Sequence, residues 1–381
     1  MFILKKRKLL ATCLFGVERI LKFELLDLGY EIESVEDGRI IFTADDLGIC
    51  RANINLRTAE RVFLLIDEFK AVDFEQLFDK VKKIRWEKYI EKDGAFPITK
   101  VNIVKSKINS PRSAQSICKK AIVESLKDVY KKDWIDEDGS EYPINVFIKK
   151  DIVQILLDTS GDGLHKRGYR ISNHEAPIRE TLACALVKMT PWNKDRILLD
   201  PFCGSGTIAI EAALIAKNIA PGINRKFVSE NFKFIASKYW EEARTEAKEN
   251  ELDINQTLIK ASDISEESIE MAKDNAINAN VYDLIEFEVE DMWNIKEDRE
   301  YGFVVTNPPY GERLEDKKTV STLYKNMGKV FSKLKTWSLY IITSEEEFEE
   351  IYGKKADKKR KLYNGMIRCD LYQYFGPKPK K

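Results

Sequence analysis

The strongest candidate for chemistry in the sequence is a short turn, Asn307, Pro308, Pro309 and Tyr310, which directly follows the apolar stretch 303–305. Consecutive prolines have no backbone N–H and restrict the local path, so their carbonyl groups can point outward as hydrogen-bond acceptors. The side-chain oxygen of Asn307 and the carbonyl of Pro308 can each accept one N–H of a planar exocyclic amine. The turn therefore predicts a site that pins such a nitrogen and directs its lone pair toward an electrophile.

The ring of Tyr310 can stack on a base that has been drawn out of its helix. We therefore predict that the four residues of this turn form the catalytic group. The structural alternative is a Pro-Pro turn that only ends a strand.

A second motif begins where an apolar strand ends in Asp200 and continues through Gly204 and Gly206 into a helix that starts near Thr207. Glycines allow the backbone to approach a ligand closely, and a helix N-terminus offers unpaired N–H groups. Together with Ala209, the spacing also fits the glycine pattern of dinucleotide enzymes. This part of the sequence therefore predicts a nucleotide-type cofactor site.

A dinucleotide is disfavoured, because the carboxylate of Asp200 would repel a pyrophosphate, and the next strand-end acid, Asp263, lies far beyond the usual spacing. S-adenosylmethionine fits better, since it has no phosphate. Asp200 would bind its ammonium, Asp263 its ribose hydroxyls and Asp291 its adenine amino group, with Met292 beside the ring. The alternative for a strand-end Asp is a helix cap, which Asp263 could provide. The predicted cofactor-binding residues are Asp200, Phe202, Gly204, Gly206, Thr207, Asp263, Ile264, Asp291 and Met292.

Methyl transfer to nitrogen is favoured over transfer to a pyrimidine carbon, which would need a cysteine nucleophile near the Pro-Pro turn. None lies there, and Cys203, in the glycine loop, is better explained by packing.

The chain as a whole carries no net charge, since 63 Lys and Arg residues balance 63 Asp and Glu residues. This excludes a uniformly basic nucleic-acid binder. However, residues 94–123 contain no Asp or Glu, and we predict that this stretch forms a phosphate-binding face. A solvated helix face is the alternative. The predicted RNA-binding residues are Lys105, Lys107, Arg112, Lys119 and Lys120.

The hydrophobic pattern predicts short alternating strands and helices up to about residue 158, a turn-rich basic linker, and a helix that opens at Pro177. Beyond it, strands alternate with helices and end in a hairpin around Asn364-Gly365. Among these we expect a strand at 257–260 and a helix at 320–334. This order indicates an α/β fold with a mostly parallel, doubly wound sheet behind a small α+β region.

The six cysteines form no CxxC pair and there are only two histidines, so disulfides and a metal site are not expected. The basic start followed by residues 9–17 resembles a signal peptide, but helical apolar spacing follows it without a cleavage site. No apolar run is long enough to span a membrane. We expect a cytoplasmic protein that binds neither a membrane nor a metal; the oligomeric state stays open.

With these motifs in place, the chain resembles the THUMP-domain RNA methyltransferases that modify guanine N2, and among them the bacterial large-subunit rRNA enzymes. Residues 199–207 (LDPFCGSGT) and 306–313 (TNPPYGER) match the cofactor and catalytic motifs of that family. Residues 105–107 (KSK) and 115–122 (QSICKKAI) resemble the THUMP core. Residues 164–170 (LHKRGYR) and 176–183 (APIRETLA) resemble its junction with the methyltransferase domain.

The resemblance implies a ferredoxin-like unit (1–60), a THUMP RNA-binding domain (61–160), a linker (161–176) and a Rossmann-like class I methyltransferase domain (177–381). It implies S-adenosylmethionine as cofactor, a helix bordering the cofactor pocket from residue 177, and RNA as partner, with rRNA favoured and tRNA open. Some rRNA relatives carry a second methyltransferase domain, which this sequence does not contain. Methylation of adenine N6 in DNA or RNA, methylation of a protein glutamine, and a non-catalytic RNA-binding module are the alternatives.

Overall fold

The computed structural model describes residues 6–171, 178–254, 258–310 and 314–379 of the protein. The chain divides into two compact units. The first comprises Met1–Thr12, Lys22–Leu164 and Arg225–Glu246, and the second comprises Cys13–Leu21, His165–Asn224 and Ala247–Lys381. Each unit is therefore assembled from segments that are distant in the sequence, whereas the sequence analysis predicts four consecutive regions.

The first sheet has seven strands in the order β2-β3-β1-β4-β7-β6-β5. Its strands are β1 (Arg7–Cys13), β2 (Glu31–Glu36), β3 (Arg39–Ala44), β4 (Ala59–Lys70), β5 (Ile98–Val104), β6 (Ile144–Lys149) and β7 (Ile152–Asp158). The helices in this part of the chain are α1 (Glu18–Asp27), α2 (Asp46–Asn55), α3 (Phe74–Lys83) and α4 (Pro111–Tyr130). The small α+β region that the sequence predicts is therefore confirmed.

Local chemistry explains several of these boundaries. Helix α4 begins after Ser110, whose side chain accepts a hydrogen bond from the N–H of Ser113, and Pro111 occupies the first turn, where its missing N–H costs nothing. Strands β6 and β7 are joined by Lys150 and Asp151, both with positive φ. Two such residues form the tight turn that matches the twist of a hairpin.

The segment Arg225–Glu246 belongs to the first unit, although it follows the glycine loop in the sequence. The hydroxyl of Ser229 donates to the carbonyl of Thr159 at 2.5 Å. The ring of Phe232 stacks on that of Tyr142 with 4.8 Å between centroids, and both side chains are buried. Aromatic pairs of this kind contribute substantially to a core, so this segment completes the packing of the first unit.

The second sheet also has seven strands, in the order β10-β9-β8-β11-β12-β14-β13. Its strands are β8 (Leu198–Asp200), β9 (Ile259–Asp263), β10 (Ile285–Val289), β11 (Phe303–Thr306), β12 (Ser338–Thr343), β13 (Lys358–Asn364) and β14 (Ile367–Tyr374). The helices in this part of the chain are α5 (Glu180–Lys188), α6 (Thr207–Ala216), α7 (Ser237–Glu249), α8 (Glu266–Asn278), α9 (Leu314–Phe331) and α10 (Phe348–Tyr352), and most of α7 belongs to the first unit. Strands β8 to β12 pair in parallel and β13–β14 pair antiparallel, which confirms the predicted doubly wound sheet with a terminal hairpin.

Two predicted elements are corrected by the structure. Strand β9 ends at Asp263 rather than at residue 260, because its pairing with β10 extends to this residue. Helix α9 begins at Leu314, earlier than the predicted 320, since its first turn lacks the apolar periodicity on which the prediction depended. The predicted start at Pro177 lies outside the described residues. No helix in the described part of the chain has the length and apolar composition needed to cross a bilayer.

Candidate active site

The predicted cofactor and catalytic residues meet at one edge of the second sheet. Asp200 and Asp263 are the last residues of β8 and β9, Asp291 follows β10, and Asn307 follows β11. These four strands are neighbours and run in parallel. Ligands of open α/β sheets bind outside the carboxyl ends of the strands, so this edge is the candidate active site.

The glycine loop between β8 and α6 requires glycine at two positions. Gly204 and Gly206 have φ angles of 50° and 79°, in a region that L-residues with a side chain rarely adopt. A Cβ at Gly206 would lie 2.9 Å from the Cβ of Ala272, which belongs to α8, whereas a Cβ at Gly204 would point into open space. The loop is therefore packed against the neighbouring helix on one side and leaves room for a ligand on the other.

Asp200 is a buried carboxyl with few partners, since only 1% of its surface is exposed. Its Oδ1 accepts a hydrogen bond from the hydroxyl of Thr306 at 2.7 Å and one from the N–H of Phe202 at 3.3 Å. Burial raises the pKa of Asp200 to about 7, and the charge of Asp263 adds to this effect, while the two hydrogen bonds oppose it. A cation placed beside Asp200 would favour the ionised form of this carboxyl. This agrees with the prediction that Asp200 binds an ammonium group.

Asp263 is half-buried and holds the glycine loop through its side chain. Its Oδ2 accepts from the N–H of Gly204 at 3.0 Å, and its Oδ1 accepts from the N–H of Ser265 at 3.0 Å. Asp263 therefore has a local structural role, but the helix cap predicted as its alternative is provided by Ser265. Each carboxylate oxygen keeps a further lone pair, so a role toward ribose hydroxyls stays a prediction. Ile264 beside it is 72% exposed.

Asp291 and Met292 lie at the start of a short helical turn. The Oδ1 of Asp291 accepts from the N–H of Trp293 at 3.1 Å, which caps that turn. The side chain of Met292 is buried in the hydrophobic core of the second unit, with Leu199 and Val304. The adenine contacts predicted for this pair stay predictions, and Trp293, which sequence reasoning does not single out, is an exposed ring next to them.

Arg170, from the predicted junction, ties the glycine loop to the start of α5. Its guanidinium donates to the hydroxyls of Ser205 and Thr207 at 3.3 and 2.8 Å, to the carboxylate of Glu180 at 2.5 Å, and to the carbonyl of Ile178 at 2.9 Å. A planar guanidinium can form several bonds of fixed geometry at once. Sequence reasoning identified this stretch as a motif but did not assign the residue.

In the turn after β11, Asn307 and Tyr310 are half-buried, Pro308 is buried and Pro309 is exposed. The hydroxyl of Tyr310 donates to the side-chain oxygen of Asn307. The hydroxyl of Tyr324, on α9, donates to the carbonyl of Pro309 at 2.7 Å. The turn is thus held by one hydrogen bond within it, from Tyr310, and by one from helix α9, from Tyr324.

Two supporting residues were missed by the sequence analysis. Tyr324 is fully buried and also bonds the hydroxyl of Thr343 at 2.8 Å. Cys369, on β14, donates its Sγ–H to the hydroxyl of Tyr310 at 3.6 Å. In sequence, Tyr324 is one apolar position of an amphipathic helix and Cys369 is one of six reduced thiols, so neither carries a distinguishing pattern. Burial raises the pKa of both Tyr310 and Cys369, so neither is a base or a nucleophile at neutral pH.

The predicted RNA-binding residues lie in the first unit, on and before α4. Lys105, Lys107, Arg112 and Lys120 are exposed. Lys119 differs, because its ammonium donates to Glu137 and to the carbonyl of Phe96 at 3.2 Å and lies over the Phe96 ring. Burial lowers its pKa. Lys120 is exposed but pairs with Glu124 at 4.0 Å. Residues 94–123 are therefore partly neutralised by two acids from outside them, and Lys105, Lys107 and Arg112 are exposed without an ion pair among the contacts described for them.

The fold and the site together define a class I methyltransferase-like unit joined to an α+β unit. Three family descriptions match the chain: an RlmL ferredoxin-like domain over residues 8–63, a THUMP domain over residues 71–158, and an RMKL-like methyltransferase domain (UPF0020) over residues 167–373. Because the last of these covers more than half of the chain, the protein belongs to the RMKL-like methyltransferase family, and the predicted family resemblance and fold class are confirmed.

Individual relatives agree with this assignment. YpsC of Bacillus subtilis (strain 168), provisionally named an RNA methyltransferase, is 50% identical over 99% of both chains. The ribosomal RNA large subunit methyltransferase K/L of Shewanella woodyi (strain ATCC 51908 / MS32) is 35% identical over 94% of this chain and 51% of its own length. The chain thus spans about half the length of the K/L relatives that it matches.

Solved structures give the same result at the level of the fold. A possible methylase from Clostridium difficile 630 superposes with a TM-score of 0.95 at 51% identity, over 99% of this chain and 100% of that one. SMU.472, a provisionally identified methyltransferase complexed with SAH, superposes with a TM-score of 0.92 at 40% identity, over 99% and 100% of the two chains. The prediction that the chain is a methyltransferase is therefore confirmed. In the parts of the chain that the structure describes, no cluster of three His, Cys, Asp or Glu residues could hold a metal ion.

Proposed function

We propose that the protein transfers a methyl group from S-adenosylmethionine to the exocyclic N2 of a guanine in structured RNA, with 23S rRNA as the favoured substrate. The observation that carries this proposal is the position of the Asn307–Tyr310 turn, one strand away from Asp200 and the glycine loop on the same sheet edge. This position supports the proposal, since acceptors for an amino group would then lie beside a site for a cationic, phosphate-free cofactor.

The cofactor is S-adenosylmethionine, and the residues present fit it. The buried carboxyl of Asp200, with its pKa raised to about 7, lacks a cationic partner among the contacts described for it. The space beside Gly204 is open, so a ligand can approach the backbone of the glycine loop there. When bound, the cofactor supplies an electrophilic methyl group. SMU.472, complexed with SAH, is a relative of the same length that superposes over nearly the whole chain.

The chain's own contribution to the reaction is orientation. The side-chain oxygen of Asn307 has a lone pair beyond the one that Tyr310 uses, and the carbonyl of Pro308 is a second acceptor. Holding both N–H groups of an amine in one plane turns the nitrogen lone pair toward the methyl donor. No strong base is needed, because the nitrogen becomes acidic once it is methylated and its proton can leave to solvent.

Two observations support RNA as the substrate class: the features of the first unit and the names of two relatives. The first unit matches a THUMP domain and offers the exposed cations Lys105, Lys107, Arg112 and Lys120. Two relatives are named for RNA or ribosomal RNA methylation. Large-subunit rRNA is favoured by the second of these names, and tRNA is the competing substrate. The proposal includes a cytoplasmic location, where such RNA is found.

The test is methyl transfer from labelled S-adenosylmethionine to RNA from cells that lack the protein. We expect the wild type to label RNA and Asn307→Ala to lose activity by about 100-fold or more, since orientation carries the reaction. Calorimetry with SAH should show that the variant still binds the cofactor product. Full activity of Asn307→Ala would refute the catalytic assignment.

Adenine N6 is the second candidate acceptor, because the Asn307–Pro308 acceptors suit any planar exocyclic amine. Nucleoside mass spectrometry of the labelled RNA separates the two outcomes. N2-methylguanosine supports the proposal, and N6-methyladenosine replaces it.

A further inference from the structure

The β13–β14 hairpin forms one wall of the catalytic turn. Cys369, on β14, donates to the hydroxyl of Tyr310 at 3.6 Å. Asn364, at the end of β13, lies close enough to Tyr310 to oppose the rise of its pKa. The hairpin therefore contacts, through Cys369, the residue that bonds Asn307, and its end lies beside the proposed acceptor site.

The residues Asn364–Ile367, which we call the hairpin tip, include two exposed apolar side chains. Asn364 pairs with Ile367, so Gly365 and Met366 form a two-residue loop, and Gly365 has the positive φ of 62° that such loops require. Met366 is 98% exposed and Ile367 is 41% exposed. Methionine and isoleucine are usually among the buried residues of a protein, so two exposed neighbours at this point form a small apolar projection.

The direction of the projection follows from strand geometry. Side chains two residues apart in a strand point to the same face, about 7 Å apart along it. Ile367 and Cys369 are two residues apart on β14, so Ile367 extends the face that contacts Tyr310. The tip therefore continues the wall of the catalytic turn outward.

The hairpin is also basic. Strand β13 opens with the cations Lys358, Lys359, Arg360 and Lys361. Lys359 is paired with Asp370 at 3.3 Å, and Arg360 donates to the carbonyl of Gly16 at 3.4 Å. Lys358 and Lys361 are exposed and form no ion pair within the described part of the chain. An apolar tip carried on a cationic strand suits a polyanion with a stacked apolar interior, and helical RNA has this chemistry.

We propose that the hairpin tip acts as a wedge that enters helical RNA beside the target nucleotide. By filling the space in the base stack, it would help the target base leave the helix and reach the Asn307–Tyr310 turn. Enzymes that act on a base inside a helix must draw it out and lose its stacking. Apolar side chains, methionine and isoleucine among them, are known to occupy the space between base steps when a stack is opened. Met366 and Ile367 are placed to do this, and the exposed cations of β13 add an attraction for the RNA backbone.

This inference rests on the proposed function, and its test begins once the methylated nucleotide has been mapped. The substrates are two RNA hairpins that contain the mapped nucleotide, one with it base-paired and one with an abasic site opposite it. The variants are Met366→Ala, Met366→Leu as the conservative change, and Ile277→Ala as a control at an exposed apolar residue on α8. SAH binding by calorimetry reports whether each variant is folded.

We expect Met366→Ala to lower kcat/KM on the paired hairpin by about tenfold or more, because an unstacking cost is no longer offset. On the abasic hairpin it should approach the wild type, while Met366→Leu and Ile277→Ala should stay near the wild type on both. Equal activity of Met366→Ala and wild type on the paired hairpin would overturn the wedge. An equal loss of activity on both RNA hairpins would also overturn the wedge, because a structural or protein-docking role of Met366 would produce that result. A wild-type protein that methylates only the abasic hairpin would overturn it as well. No methylation of any RNA by the wild type would refute the proposed function and the wedge together.

Discussion

At the residue scale, Asp200 is a buried carboxyl whose surroundings favour a bound cation. Strand β8 ends at this residue with its carboxyl inside the sheet edge, where two hydrogen bonds compensate only part of the lost hydration. Its pKa of about 7 lies well above the usual value of 3.8. A buried carboxyl with this property favours a positively charged ligand, because the ligand restores the environment in which the ionised form is stable.

The raised pKa predicts a pH dependence with a defined sign. Since the pKa is higher in the folded than in the unfolded state, folding favours the protonated form, and the free energy of unfolding of the ligand-free protein should fall as pH rises from about 4 through about 7. Binding of an ammonium group requires the ionised form. We therefore expect the Kd for SAH, measured by calorimetry, to fall about tenfold per unit between pH 5 and pH 7.

Asp200→Asn provides the comparison. This variant should bind SAH more weakly at pH 7, and its Kd should not change with pH over this range, because the titrating group is gone. Its unfolding in urea should lose the same pH dependence. A wild-type Kd that is constant from pH 5 to pH 7 would contradict the role assigned to Asp200.

At the scale of elements, the contact between α6 and α8 fixes the cofactor loop. Gly206 precedes α6 with a φ of 79°, and an added Cβ would lie 2.9 Å from Ala272 on α8. Gly206→Ala should therefore lose about 1–2 kcal/mol of stability for the backbone conformation, and more for the crowding. It should also weaken SAH binding, because the loop must move.

Gly353→Ala is a matched control for that prediction. Gly353 ends α10 with a φ of 84°, and an added Cβ there would meet nothing within 4 Å. Urea unfolding should show only the backbone cost for this variant, and calorimetry should show unchanged SAH affinity. If both variants lose the same stability and both bind SAH normally, then crowding against α8 does not fix the loop.

Elements were predictable where the local sequence contains the signal that forms them. Helix α6 begins at Thr207, where the sequence predicts a helix start, and Ser265 provides the cap that marks the start of α8. The predicted start of α9 was wrong because its first turn has only one apolar residue, Leu314, and so shows no apolar period. The short helix α10 was missed, since five residues are too few to show a helical period. The positions of Tyr324 and Cys369 against the catalytic turn depend on tertiary contacts, which spacing cannot reveal.

At the scale of the whole molecule, the two units do not follow the order of the chain. Local motifs predict a boundary near residue 160 and a continuous domain after it, but Arg225–Glu246 packs into the first unit. The contacts that decide this join residues far apart in sequence, such as Phe232 with Tyr142 and Ser229 with Thr159. A single sequence does not carry this information, because each of these residues has an ordinary local pattern.

Because the first unit is discontinuous in sequence, it predicts which strands a core substitution in Arg225–Glu246 will destabilise. Phe232 is 1% exposed and stacks on Tyr142, which precedes β6. Phe232→Ala should therefore destabilise the first unit by about 3 kcal/mol or more. Native-state hydrogen exchange should show faster exchange in β5, β6 and β7, because opening of a cooperative unit exposes the amides that belong to it.

Phe331→Ala is the matched change in the second unit, since Phe331 is 2% exposed in a core with Val304 and Ile341. It should raise exchange in β11 and β12. Two core substitutions of the same size then report on two different sheets. This holds although Phe232 lies between the glycine loop and strands β9 to β12 of the second sheet in the sequence. Faster exchange in β8 to β10 without a change in β5 to β7 would mean that Arg225–Glu246 is part of the methyltransferase unit. The observed division into units would then be wrong, because cooperative opening follows packing and not sequence order.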